Sequence, residues 1–241
     1  MTKQFWKEIL SLLLYLAMGL IVVVILALLQ QHFLESYPVL NLHILQWEQN
    51  LLVFILPVIW WIATYLKLPI CHTLGLRTTT PKWYLLAAAS ILLISYPMDD
   101  LAEWVKQSLP WPDALRLMAE EEQQEQERLF AILLSPGGTW GWIENTLLMC
   151  ITTAIAEEFV FRGALLSCFR RAHISQHVTA WVIGFIFAMI HFDLYGLVPR
   201  WFLGTLFCYF YFWSGSLWPC VLAHALNNFL ALLQYRNGEL V

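Results

Sequence analysis

The sequence predicts an all-α fold, a polytopic membrane helix bundle with about seven transmembrane helices. Of the 241 residues, 60% are hydrophobic and 12% charged. That is about half the charge density of a soluble domain, too little to coat a compact globule. Aromatic residues make up 15% of the chain, with 13 Trp and 15 Phe. This excludes disorder and suits a lipid-facing surface with interfacial anchors. Apolar runs also recur near the length of a membrane crossing, roughly 20 residues. The net charge of -4 provides no basic surface for nucleic acid.

Residues 9–29 carry no charge and form the clearest span. Lys3 and Lys7 precede it, as in a signal peptide, but the core is longer than the usual h-region and no small-x-small site follows. It is expected to be a retained helix. Further spans are expected at 51–66, 83–98, 143–166, 178–194, 197–213 and 216–234. Lys3 and Lys7, then Lys67, Arg77 and Lys82, then Arg170 and Arg171 fall in three segments that the positive-inside rule assigns to the cytoplasmic side. The segment 30–50 has Glu35 and Glu48 but no Lys or Arg, and is expected on the opposite side.

The stretch 99–128 belongs there too, with Asp99, Asp100, Glu103, Asp113, Glu120, Glu121, Glu122, Glu125 and Glu127. Pro110 and Pro112 open its polar part, and Asp113 is expected to cap a helix. Leu115, Leu117, Met118, Leu129, Ile132 and Leu133 line an interrupted apolar face, and Pro136-Gly137-Gly138 stops it. A solvated or interfacial helix is expected, with a substrate-gating lid as the alternative. Residues 1–140 thus read as N-terminal membrane helices with an acidic extramembrane segment at about 99–138, and 141–235 as a catalytic helix bundle, in one integrated membrane domain. Cys71, Cys150, Cys168, Cys208 and Cys220 are scattered without a C-x-x-C pair, so neither a disulfide framework nor a thiolate metal site is expected.

Ionisable groups inside a span are expensive and mark candidate sites. The fourth span places Glu157, Glu158 and Arg162 in apolar sequence. Glu158 and Arg162 are four apart and can pair on one helical face, whereas Glu157 is turned about 100° away. Two carboxylates with one guanidinium leave an excess negative charge, which suits a general base; an interfacial ion pair is the plainer reading. The fifth span puts His191 one turn beyond Phe187, and the seventh puts His224 and Asn228 four apart, beside Asn227. An interfacial histidine is the plainer reading of His191 by itself, and helix–helix hydrogen bonding accounts for the His224–Asn228 pair equally well.

Together they offer a carboxylate, two imidazoles and a carboxamide, a set suited to hydrolysis by an activated water with donors for the oxyanion. No serine or cysteine sits in a recognisable nucleophile motif, and no H-E-x-x-H helix is present. No cofactor is required, although zinc on Glu157, His191 and His224 would be a known His₂Glu ligand combination.

At these residues the sequence resembles the CPBP family, which unites type II (Rce1-like) CAAX prenyl proteases with the bacteriocin-processing Abi proteins. The family pattern E-E-x-x-x-R is met by Glu157-Glu158-Phe159-Val160-Phe161-Arg162, F-x-x-x-H by Phe187-Ala188-Met189-Ile190-His191, and H-x-x-x-N by His224-Ala225-Leu226-Asn227-Asn228. The resemblance covers roughly 140–235. It implies an intramembrane endopeptidase of the glutamic type, in a bacterial cytoplasmic (inner) membrane, acting on a peptide or protein substrate at the bilayer. Glu157 would activate the hydrolytic water with help from His191. His224 and Asn228 would hold the oxyanion, Glu158 and Arg162 would orient and charge-balance the site, and Phe187 would pack beside it.

Depth fits the family less well. Glu157 lies about 20 Å from Arg170 if the helix is continuous, whereas the family site is expected nearer the cytosolic face. Either the motif helix ends early, at Gly163, or the orientation is inverted. The competing functions are a non-catalytic immunity or scaffold protein of the same fold, a zinc-dependent variant of the protease, and a transporter or proton relay using the same ionisable residues.

Overall fold

The structure, a computed structural model, describes residues 3–135 and 137–237. Pro136, expected to help stop the acidic helix, lies outside the described residues. Every element among the described residues is helical. In chain order these are α1 (Lys3–Leu34), α2 (Pro38–Leu66), α3 (Ile70–Leu74), α4 (Pro81–Ser108), α5 (Asp113–Leu133), α6 (residues 138–171), α7 (Gln176–Met189), α8 (Leu197–Ser214) and α9 (Trp218–Asn237).

Three of them, α1, α2 and α4, are long and apolar enough to cross a membrane. The expectation of about seven is therefore not met on length and composition. The other helices fall short for physical reasons. α6 carries Glu144, Glu157, Glu158 and Arg162, α7 has only 14 residues, and α8 holds Arg200 among Trp and Tyr. α1 exposes Leu10, Leu13, Leu14, Leu28 and Leu29 along its length, and α4 exposes Leu85, Leu92 and Leu93. Apolar residues so uncovered on long helices are a surface for acyl chains.

Charge sorts the bundle into two ends. At one end the start of α1 meets the end of α6: Phe5 packs edge-on against Phe169 at 5.1 Å, and Arg171 Nη2 lies 2.9 Å from Glu8 Oε2. Arg77 donates to the Gly215 carbonyl there, joining the segment before α4 to the α8–α9 turn. The three basic segments thus gather at a single end. At the other end, His43 of α2 lies 2.7 Å from Glu144 Oε1 and 3.0 Å from the Leu133 carbonyl. Trp111 meets Tyr195 at 6.0 Å, and Gln234 donates to Asp99 at 2.8 Å.

Several boundaries differ from expectation. α4 runs past residue 98 to Ser108, through Pro97, so Asp99, Asp100 and Glu103 ride on the third span's own helix. Asp113 is the first helical residue of α5, not its cap; Pro112 holds the cap position, and its fixed φ is preorganised for a helix start. Of α5's apolar face, Leu133 is buried while Leu115, Leu117, Met118 and Leu129 are exposed. α7 stops at Met189, which leaves His191 in the turn beyond the helix rather than inside a span ending at 194.

α6 does not end at Gly163. It continues to Arg171, with turns hydrogen-bonded i to i+5 at Thr146–Thr152 and Phe159–Leu165. α2 carries similar wide turns at Gln49–Ile55 and Ile62–Leu66. Such turns are rare and recur at functional sites. With α6 unbroken, Glu157 lies near the middle of that helix, and α7 runs from the basic end to bring His191 beside it.

Candidate active site

α6, α7 and α9 deliver the motif side chains to one place. Glu157 Oε2 lies 3.7 Å from His224 Nε2 and 3.9 Å from His191 Nε2. It is buried without a hydrogen-bond partner, so a carboxylate oxygen faces two imidazoles across a gap. The His191 side chain is 27% exposed and that of His224 5%, which makes the His191 side the open one.

The neighbouring carboxylate has the opposite environment. Glu158 Oε1 accepts from Arg162 Nη1 at 2.7 Å and lies 2.9 Å from His224 Nδ1, and Glu158 and Arg162 are both fully buried. Arg162 Nη2 also donates to the Gly204 carbonyl at 2.8 Å. The guanidinium lies over Phe187 at 4.9 Å, Phe207 at 5.2 Å and Phe161 at 5.7 Å. Three ring faces and a backbone dipole thus enclose the charge, as a buried guanidinium needs. The hundred-degree step between adjacent helical residues turns Glu158 to the protein interior and Glu157 to the gap.

Fixed acceptors set the imidazole protons. His191 Nδ1 lies 2.7 Å from the Phe187 carbonyl. A carbonyl only accepts, so Nδ1 carries the proton and the neutral ring turns a lone pair on Nε2 toward Glu157. His224 Nδ1 likewise donates to Glu158, so its Nε2 carries a proton only when the ring is an imidazolium. Glu157, Glu158 and Arg162 sum to one negative charge when all are ionised. A single further proton, on His224 or Glu157, neutralises the cluster.

Phe187 packs against both rings, 4.8 Å from His191 and 5.6 Å from His224, and Phe207 stacks on His224 at 5.3 Å. Asn228 is turned partly away: its Nδ2 donates to the Met149 carbonyl at 3.3 Å. An amide nitrogen has two N–H groups, which leaves the second for another acceptor. Phe192, directly after His191, is 82% exposed and has φ +53°. A bulky residue in the left-handed region is strained, and such strain collects at functional sites. Asp193 anchors this turn by accepting from the Gly196 amide at 2.9 Å and pairing with Arg200.

Several contributors escaped the sequence reading. The Gly204 carbonyl leaves no trace in a sequence, and Phe207 looks like any aromatic of α8. A signal for Gly204 did exist in its small-residue counterpart, Gly184. A Cβ on Gly184 would run into Thr205 and the Trp201 carbonyl, and one on Gly204 would meet Gly184 Cα at 3.0 Å. This close crossing of α7 and α8 carries the Gly204 carbonyl to Arg162.

Glu157, His191 and His224 have the donor chemistry of a zinc site, but their contacts are wider than the about 3.3 Å between ligands of a tetrahedral zinc. Among the described residues no group of three or more His, Cys, Asp or Glu is arranged to hold a metal ion.

No curated protein and no solved structure matches the chain. Residues 139–230 match the family model for the type II CAAX prenyl endopeptidase, Rce1-like. At family level this implies CAAX-type intramembrane endopeptidase function, and with the long apolar helices it makes the chain an integral membrane protein. The matched segment runs from α6 into α9 and contains all three motifs, so residues 139–230 form an Rce1-like domain.

Proposed function

We propose that the chain is a glutamic-type intramembrane endopeptidase, one integrated membrane domain in which a water activated by Glu157 hydrolyses a peptide bond at the bilayer. The observation that carries this reading is the division of labour between adjacent carboxylates. Glu158 is tied through Oε1 to Arg162 and His224 and leaves only its Oε2 without a partner, whereas Glu157 Oε2 is buried, unpartnered and within 4 Å of two imidazole nitrogens.

A water held between Glu157 and His191 Nε2 gives its proton to the carboxylate as its oxygen attacks the scissile carbonyl. The carbonyl oxygen becomes an oxyanion, which accepts from His224 Nε2–H and the free N–H of Asn228. His224 donates there as an imidazolium whose other N–H rests on Glu158. When the C–N bond breaks, the leaving amine takes the proton that Glu157 removed. Arg162 touches no reacting atom; it holds Glu158 in place. Phe187 fixes the planes of both imidazoles. Substrate approaches from the His191 side, past the exposed Phe192, and the remaining helices cross the bilayer with neighbours covering their polar residues.

The test is Glu157→Gln in the purified full chain, assayed on a quenched-fluorescence farnesylated CAAX peptide and its unprenylated counterpart. Loss of a general base removes about 10²–10⁴-fold of rate, so turnover should fall by about 10³-fold while the protein elutes and melts as the parent does. Undiminished turnover overturns the assignment, and full biological rescue by this variant would point to a binding role instead. The zinc variant is the second reading: Glu157, His191 and His224 supply its donor types, although their separations are wider than a bound ion needs. Exhaustive chelation abolishing activity, with zinc restoring it, would select it.

A further inference from the structure

The segment before residue 139 lies outside the family match, yet one of its side chains grips the motif helix one turn before Glu157. Asn50 of α2 is fully buried. Its Nδ2 donates to Thr152 Oγ1 at 3.2 Å and to Thr153 Oγ1 at 3.1 Å. Both hydroxyls donate in turn to the Leu148 carbonyl, at 2.7 Å and 3.1 Å. Gln46, one turn earlier on α2, donates to Asn50 Oδ1 and to Thr153 Oγ1, each at 3.4 Å. Every donor here meets an acceptor, and the amide forks across two adjacent residues of α6.

The placement is specific. Asn50 sits in the wide turn Gln49–Ile55, and Thr152 ends the wide turn Thr146–Thr152. Thr153 lies four residues before Glu157 and shares its helical face. A two-pronged hydrogen bond adds a direction-dependent restraint on helix rotation to the packing of the two helices. At a side-chain radius of about 5–6 Å, a helix rotation of 10° moves a carboxylate by about 1 Å, and such a misplacement can cost about 10²-fold in rate.

We infer that Asn50 is a positioning residue: its fork to Thr152 and Thr153 sets the rotation of α6 and so aims Glu157 at His191 and His224. This rests on the protease reading. In kinetic terms Asn50 acts on kcat and leaves substrate binding alone, because its bonds end on Thr152 and Thr153, one turn before Glu157.

The experiment compares Asn50→Ala, Thr153→Val and the double variant in the purified full chain, on the farnesylated CAAX peptide, with rates expressed per folded molecule. Ser11→Ala serves as the control, since it removes another interhelical bond, the one from Trp61 Nε1 at 2.9 Å. Expected is a kcat for Asn50→Ala lower by 10- to 100-fold with KM within about twofold. The double variant should be no worse than the poorer single, and Ser11→Ala should match the parent. The Glu157 carboxyl infrared band, assigned by its loss in Glu157→Gln, should shift in Asn50→Ala and stay in Ser11→Ala.

A parental kcat in Asn50→Ala, additive losses in the double variant, or an unmoved Glu157 band overturns the inference, leaving Asn50 a stabilising contact only. If Asn50→Ala does not fold, Asn50→Ser and Thr153→Val decide by the same measures. Failure of the parent to cleave either peptide counts against the protease reading, and the infrared band still decides the positioning role.

Discussion

α1 and α6 are both long helices, and they handle charge in opposite ways. α1 keeps residues 9–29 free of charge and leaves much of its length uncovered by protein. α6 places Glu157, Glu158 and Arg162 in its middle and buries nearly every residue from Ala154 to Ala164. The first is stable in lipid because of its composition. The second is stable because Glu158 and Arg162 pair within it and neighbouring helices add an imidazole, a carbonyl and the rings of Phe187 and Phe207. An ionisable helix in a membrane protein is therefore a statement about its surroundings, and perturbing those surroundings should hurt far more than perturbing the uncovered face of α1.

The largest effect on stability belongs to Arg162→Ala. The substitution leaves Glu158 buried with His224 as its remaining partner, and it empties a site lined by Phe161, Phe187 and Phe207. Removing one member of a fully buried pair costs about 3–5 kcal/mol, a large share of a typical domain's stability. Denaturant titration in detergent, followed by Trp fluorescence, should show this loss, or no folded peak at all on size exclusion. A parental midpoint would show that the Glu158–Arg162 pair is not what secures α6.

The next effect acts through packing alone. Gly184→Val forces α7 away from α8, because the added atoms meet Thr205 and the Trp201 carbonyl. Overpacking of this kind costs about 1–3 kcal/mol. It should also cut turnover, since α7 carries His191 and α8 carries the Gly204 carbonyl that holds Arg162. A thermal melt and a rate measured on the same preparation separate the two consequences. Loss of stability with unchanged rate per folded molecule would mean that the crossing is structural only.

The contrast between helices also explains what could be read from the chain. The grouping of Glu157, Glu158, Arg162, His191 and His224 was legible because scarce charges in apolar sequence stand out, and helical spacing then separates Glu157 from the Glu158–Arg162 pair. Asn228 was expected to be a member, and its bond to the Met149 carbonyl was not legible, since a backbone acceptor has no residue letter. Asn50 stood at the edge of an apolar run with no periodic partner, so its role emerged only when α2 met α6. The count of about seven spans is not confirmed: among the described residues three helices qualify by length and composition, and α6, α7 and α9, which are short or bear polar residues, depend on their neighbours. Asp113 looked like a cap because acidic residues favour that position, yet Pro112 fixes the helix start one residue earlier.

The smallest effect is expected on the uncovered face of α1. Leu14 is 57% exposed, in the middle of the uncharged run. Acyl chains surround such a side chain whether or not α1 is packed on α2, so shortening it removes little that folding contributes. Leu14→Ala should stay within about 0.5 kcal/mol of the parent, as substitutions away from buried features usually do. The same deletion at Leu12, which is 2% exposed and two residues away, should cost about 2–5 kcal/mol. Denaturant titration of this pair in one detergent tests whether α1 has a lipid face and a protein face. Equal losses at both positions would mean that protein, not lipid, covers Leu14, and the opposition between α1 and α6 would lose its basis.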